Sequence, residues 1–246
     1  MSRYEAPRAP LTNPSQFFLE WNSELQSFSY WKKGDDQEEG KRISYPLPMR
    51  FAVLKVMNSI TGYDENRRQG IYSNEVSNTS REVLRVLYRD GSPLAQGIYQ
   101  QIKDYIVNAG GRYTKSIYAV TPKGVIINIR IKGSQMVNFG IIEKFGLRYE
   151  DEWIEVASFE EKVDKEGRPY TVPVFNFGHS FTVADVQLTG RSFHMVKNYF
   201  DSKSPVYDGS TTTPAAPVQS PVTMPVSSQY ASYQTIDEGN DDDLPF

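Results

Sequence analysis

The chain has 246 residues, no cysteine, two histidines and a formal net charge of −3. Disulfides, thiolate ligands and thiol nucleophiles are thereby excluded, and His179 and His194 are too few for a histidine-rich metal site. No apolar run reaches the length of a membrane-spanning helix, and "MSRYEAPRAP" lacks the apolar core of a signal peptide, so a soluble, cytoplasmic protein is expected.

The charge is unevenly placed. Residues 201–246 hold seven acids and one base, which leaves 26 basic and 23 acidic residues in 1–200, a net of +3. A mildly basic body with an acidic tail suggests nucleic-acid binding combined with an interaction tail.

Aromatic and β-branched runs dominate the body. "QFFLEWNSELQSFSYWKKG" (16–34) reads as two strands around "NSEL", followed by the charged loop "GDDQEEGKR", whose Asp35-Asp36 pair reads as solvated surface. A long strand over Met49–Tyr63 comes next, then the polar turn "DENRRQG", the short run "IYSNEV" and a strand over Arg81–Arg89 broken by Asp90-Gly91. In "SPLAQGIYQQIKDYIVNAGG" the period becomes helical. Ser92 is placed as N-cap and Pro93 as first helical residue; Leu94, Ile98, Ile102, Tyr105 and Ile106 share a face, and Gly110-Gly111 ends the helix.

Beyond it, "RYTKSIYAV" and "GVIINIRIKG" read as strands around the turn "TPKG". Val125, Ile127, Ile129 and Ile131 point one way; Asn128, Arg130 and Lys132 point the other. A short helix at "SQMVNFGIIEKFG" and strands at "WIEVASFEEKV" and "PYTVPVFNFGHSFT" complete the body.

The order strand, strand, strand, helix, strand, strand across 49–133 matches the OB-fold, a five-stranded Greek-key barrel. The expected fold is therefore mainly β (α+β), an OB-fold-like five-stranded barrel with a helix between strands 3 and 4, extra β elements and a disordered C-terminal tail. The OB-like domain covers 1–200. In 201–236, 17 of 36 residues are Ser, Thr or Pro, too little apolar surface to offset ordering entropy, so this is a disordered linker to an acidic tip at 237–246.

Signatures of enzymes are missing. There is no GxxxxGK[ST], GxSxG or HExxH, and "GGRYTKS" lacks the glycine a phosphate-cradling loop needs before its Lys-Ser. No activity, cofactor or metal is expected. What the body does carry is basic residues interleaved with aromatics, the pair that single-stranded nucleic acid requires: cations for phosphates and ring faces for unstacked bases. Tyr63, Arg67, Arg68 and Tyr72 flank the first hairpin, and Arg85, Tyr88 and Arg89 lie on the third strand of the barrel. Arg112, Tyr113, Lys115, Tyr118 and Lys123 mark its fourth strand and turn, Arg130 and Lys132 its fifth, and Trp31, Lys32 and Lys33 form a set upstream. Each also has a plain structural reading, as a strand-packing tyrosine or a solubilising cation.

The chain closes on "DEGNDDDLPF", which resembles the C-terminal tip of bacterial single-stranded DNA-binding proteins: aspartates, a small apolar residue, Pro and Phe. The matching residues are Asp241, Asp242, Asp243, Leu244, Pro245 and Phe246, preceded by a linker of similar composition. The resemblance implies that the tip docks on replication, recombination and repair proteins. Phe246 would enter an apolar pocket and the aspartates would meet a basic rim. The body, in "PLPMRFAVLKVMNSITGY" and "GIYSNEV", is more similar to versions encoded by bacterial viruses, which are often monomers or dimers, so no tetramer is implied. A strand-annealing or recombination mediator, an RNA binder, or a β-rich virion adaptor that ignores DNA would share many of these features.

Overall fold

The apolar alternation read from the sequence becomes a sheet with two unlike faces. The computed structural model describes residues 11–32, 40–146 and 148–203. Lys33, the run at 34–39, and the linker and tip from 204 to 246 lie outside the described residues. β1 (Phe17–Asn22), β2 (Ser27–Lys32) and β3 (Lys41–Tyr45) form an antiparallel meander. The long β4 (Met49–Asp64), β5 (Gln69–Ser73), β6 (Leu84–Tyr88) and β7 (Pro93–Gly97) follow, then α1 (Tyr99–Asn108). β8 (Gly111–Val120) and β9 (Ile126–Ile131) return across the sheet. α2 (Ser134–Glu143), α3 (Arg148–Asp151), the hairpin β10 (Glu152–Val163) and β11 (Pro169–Ser180), and α4 (Val183–Lys203) complete the domain.

The protein is mainly β, as expected, but the five-stranded barrel is not what forms. The sheet has eleven strands and runs open in the order β3-β2-β1-β9-β8-β4-β5-β6-β7, with β10 and β11 branching from β4. The expected succession of three strands, helix and two strands is present, with β7 added before the helix. What differs is the outer edge of β9. β1 pairs with it in parallel, from Phe17↔Ile127 to Glu20↔Arg130. The N-terminal strands thus occupy the edge that the last strand of a small barrel would use for closure.

The helix also starts later than its pattern suggests. Pro93 opens β7, the last strand of the sheet path, where its missing N–H costs no ladder bond. Ser92 is spent on a turn, its N–H and hydroxyl both donating to Asp90 Oδ1 at 2.8 and 2.7 Å. Ile98, in extended conformation, precedes the helix. Ile102 and Ile106 are buried as expected, while Tyr105 is exposed. α4 was not anticipated. Its start is fixed by a reciprocal cap in which the Thr182 hydroxyl donates to Asp185 Oδ2 at 2.8 Å and accepts the Asp185 N–H at 3.3 Å. The helix runs through the expected boundary at 200 to Lys203.

One sheet face carries the main core. Leu19, Ile117, Ile127, Ile129 and Ile131 pack with Phe51, Phe139, Ile154 and Phe175. Farther along, Ile60, Ile71, Val86 and Tyr88 pack with Tyr99, Ile102 and Ile106 of α1. On the opposite face α4 covers one end, burying Met57, Tyr118, Val120 and Trp153 beneath Val196 and Tyr199. The remainder of that face is left polar.

The hairpin leading to Tyr63 depends on glycine. Gly110 has φ +89°, and a Cβ there would lie 2.2 Å from the Tyr63 carbonyl oxygen. Gly110→Ala combines left-handed strain with a backbone clash. It should lower stability by about 2 kcal/mol or more, read from the denaturant midpoint; an unchanged midpoint would contradict this packing.

Candidate nucleic-acid interface

Alternation assigns the polar face residue by residue. While Leu19, Ile129, Ile117 and Ile60 point into the core, their neighbours Phe18, Glu20, Arg130, Ser116, Ser59 and Thr61 point the other way. The register places them side by side: Glu20↔Arg130, Arg130↔Ser116, Thr61↔Tyr72. On β2 and β3 the face continues through Trp31↔Arg42.

Two hollows lie on this face. The larger, about 730 Å³, is lined by Phe18, Glu20, Ser59, Thr61, Tyr63, Tyr72, Glu75, Ser116, Arg130 and Lys132, and at its α4 end by Tyr199 and Lys203. The smaller, about 460 Å³, is lined by Phe17, Phe18, Glu20, Tyr30, Trp31, Lys32, Arg42 and Arg130. Phe18, Glu20 and Arg130 belong to both, so the two form one groove crossing β3, β2, β1, β9, β8, β4 and β5. Seven strands at about 4.8 Å spacing give a run of about 29 Å.

Large apolar rings are exposed along it. Trp31 is 64 % exposed, Tyr63 47 %, Tyr72 43 % and Phe18 39 %. Trp31 lies against the backbone of Gly40, where any Cβ would come within 2.5 Å of the indole nitrogen. The cations are held in place. The Arg130 guanidinium stacks 4.8 Å from the Phe18 ring centre, Lys203 Nζ sits 4.1 Å above the Tyr199 ring, and Arg42 donates to Ser29 Oγ at 3.3 Å. Lys132 pairs with Glu20 at 3.7 Å.

Of the residues singled out in the sequence, the groove gathers Trp31, Lys32, Tyr63, Tyr72, Arg130 and Lys132. Others are placed elsewhere. Tyr88 is buried with its hydroxyl on Asp64 Oδ2 at 3.0 Å, and the Tyr113 hydroxyl donates to Asn58 Oδ1 at 2.5 Å. Lys115 is on the core side, 2.6 Å from Glu143. Tyr118 has the right parity but is fully buried beneath α4. Asn128 likewise shares the face of Arg130 yet is buried, its amide without a partner among the described residues. Arg67 stacks on Tyr88, and Arg68 occupies a positive-φ turn position. Arg85, Arg89, Arg112 and Lys123 are exposed but line neither hollow.

Groove members outside that first set include Phe18, Glu20, Arg42, Glu75, Tyr199 and Lys203. Phe18 and Glu20 were within reach of sequence reasoning, since Leu19 and Trp21 inside put them outside. Glu75 and the α4 residues arrive through tertiary packing alone.

The β4–β5 hairpin is braced by Asp64. Its Oδ1 accepts the Asn66 and Arg67 N–H groups at 2.9 and 3.0 Å, and its Oδ2 accepts the Tyr88 hydroxyl. The Arg67 N–H foremost, with the Tyr88 hydroxyl, the Asn66 N–H and the Arg67 charge, holds this carboxyl below its ordinary 3.8 despite opposing desolvation. Its stabilisation is therefore present above about pH 3.8 and fades as pH falls through the lowered value. Asp64→Asn should reduce the melting temperature at pH 7, and the gap from the natural protein should narrow below pH 4; a gap constant with pH would refute the assignment. No protein-family model, curated protein or solved structure matches this chain, so function has to be argued from the groove's own residues.

Proposed function

We propose that the chain binds single-stranded DNA along this groove, with little dependence on sequence over most of its length. The supporting observation is the continuity of the groove, which presents exposed rings from β2, β1, β4 and β5 and cations from β3, β2, the β9 end and α4. Ring faces accept any unstacked base, and the cations replace counterions released from the phosphates. A length of about 29 Å suits a short run of nucleotides, at the lower end of the site sizes of such proteins. Duplex DNA keeps its bases stacked and paired, so it cannot use Trp31, Phe18 or Tyr72 as platforms. On this reading β4, β5, β6, β8 and β9 with α1 form a relative of the OB plan, opened by insertion of β1 beside β9. The protein acts in the cytoplasm without catalysis, coating single strands during replication, recombination and repair.

The acidic tip, on the resemblance of Asp241 to Phe246, recruits partner proteins. It is also a polyanion tethered beyond Lys203, itself a groove residue. The tail therefore competes with DNA for the groove at low salt.

Binding to a fluorescent oligothymidylate should fall steeply with salt, with a log–log slope of about −3 if most of Lys32, Arg42, Arg130, Lys132 and Lys203 meet phosphates. Trp31→Ala and Arg130→Ala should each weaken binding about tenfold, whereas Arg89→Ala and Lys123→Ala should leave it unchanged. Equal effects at all four positions would mean diffuse electrostatic attraction and rule out the groove. Equal affinity for duplex would point to another role. A chain ending at Lys203 should bind more tightly at low salt, and unchanged affinity would discard tail competition.

A further inference from the structure

Base stacking and phosphate contacts account for the rings and cations of the groove, but not for Glu75. A carboxylate beside a polyanion's path is repulsive, and a glutamine would satisfy its one side-chain partner equally well. Glu75 is nevertheless fixed with care. Its Oε2 accepts the Tyr118 hydroxyl at 2.7 Å, and Tyr118 is fully buried and itself accepts from Asn13 Nδ2 at 3.1 Å. Burial, then the Glu75 charge, push the Tyr118 phenol far above its ordinary value, so it remains a donor.

The backbone around Glu75 is pinned on both sides. Ser73 Oγ accepts the Ile60 N–H at 2.8 Å, Asn74 bonds Val83 and Arg85 through its side chain, and Val76 exchanges two 2.8 Å bonds with Asn58. Glu20, the other groove carboxylate, is paired with Lys132. Glu75 has no ion pair among the described residues, and its Oε1 takes no hydrogen bond there. A preorganised acceptor thus lines the larger hollow, as does the exposed Tyr72 ring.

We infer that this hollow reads a base: Glu75 accepts a hydrogen bond from the exocyclic amino group of cytosine, adenine or guanine and disfavours thymine and uracil. The inference rests on the single-strand reading above and adds one selective position to an otherwise tolerant groove. A carboxylate offers only lone pairs, so it rewards an amino edge. Thymine and uracil present carbonyl oxygens on both sides of their one ring N–H, and these face the same negative charge. The hollow, at about 730 Å³, has room for a base to enter it.

The sharpest pair of probes is oligodeoxycytidylate and oligodeoxyuridylate of about ten nucleotides. They differ only in the amino-for-carbonyl exchange and its ring proton. Anisotropy titrations of the full chain at pH 8, where cytosine is unprotonated, should show cytidylate bound about tenfold more tightly. Glu75→Gln, whose amide can serve either base, should bring the ratio near one, with a thermal melt confirming its fold. Equal affinities in the natural protein, or tighter uridylate, would overturn base reading while leaving single-strand binding intact. A preference that survives in Glu75→Gln would overturn the role of Glu75. Binding to neither probe would overturn the single-strand reading and this inference with it.

Discussion

The parallel pairing of β1 with β9 is the constraint on which the rest of the molecule depends. Without that pairing, β9, β8, β4 and β5 offer a strip of this face four strands wide. Four residue pairs, from Phe17↔Ile127 to Glu20↔Arg130, add β1, and through it the β2–β3 meander. Because side chains alternate with period 2, a slip of one residue would exchange Phe18 and Glu20 for Leu19 on the groove side. The register is held by burial: Leu19 and Trp21 lie in the main core, and Trp21 Nε1 donates to the Thr171 carbonyl at 2.9 Å. Core packing on one face thus determines which rings are exposed on the other.

The groove's α4 end is set by a second tie between distant parts of the chain. Asn13 Nδ2 donates to the hydroxyls of Tyr118 and Tyr199, and the Leu11 N–H donates to Ser202 Oγ at 3.2 Å. Residues before β1 and the last turn of α4 therefore meet over Tyr118. This arrangement buries a tyrosine on the groove side of the sheet and makes it a donor for Glu75. It also brings Lys203 to the groove.

Local patterns carried most of the elements. The alternation of Ile127, Ile129 and Ile131 against Arg130 and Lys132 announced β9 and its exposed cations, and Gly110-Gly111 stopped α1 where expected. Boundaries failed where one residue type has two uses. Ser92-Pro93 suits a helix start, but also a turn followed by an edge strand, and the Asp90 carboxylate decided between them. Local propensity does not announce α4, because Val183, Val186, Thr189 and Gly190 are poor helix formers; its stability comes from packing Val196 and Tyr199 on the sheet. The aromatic-plus-basic criterion located the groove only in part, since it is blind to facing. Tyr88, Tyr113 and Lys115 satisfy it yet have core-side parity. Which sheet edge β1 would choose depends on residues more than a hundred positions apart, and no local pattern encodes it.

On the proposed reading, Arg130 shows how the groove can be rigid and still accept varied bases. A guanidinium is planar and has two faces. Phe18 takes one of them at 4.8 Å, which fixes the side chain and limits the entropy lost when a strand arrives. On the proposed reading the second face is available to a base, extending a ring–guanidinium–base stack that is indifferent to base identity. The partial pairing of Lys132 with Glu20 acts in the opposite sense, moderating the local positive potential, which on the same reading keeps attraction to phosphate from dominating. In the proposed complex, stacking supplies tolerance across the groove as a whole. Selectivity then needs a fixed polar group off the stacking path, and among the groove carboxylates Glu75 is the one held by a buried donor and left without a cation among the described residues.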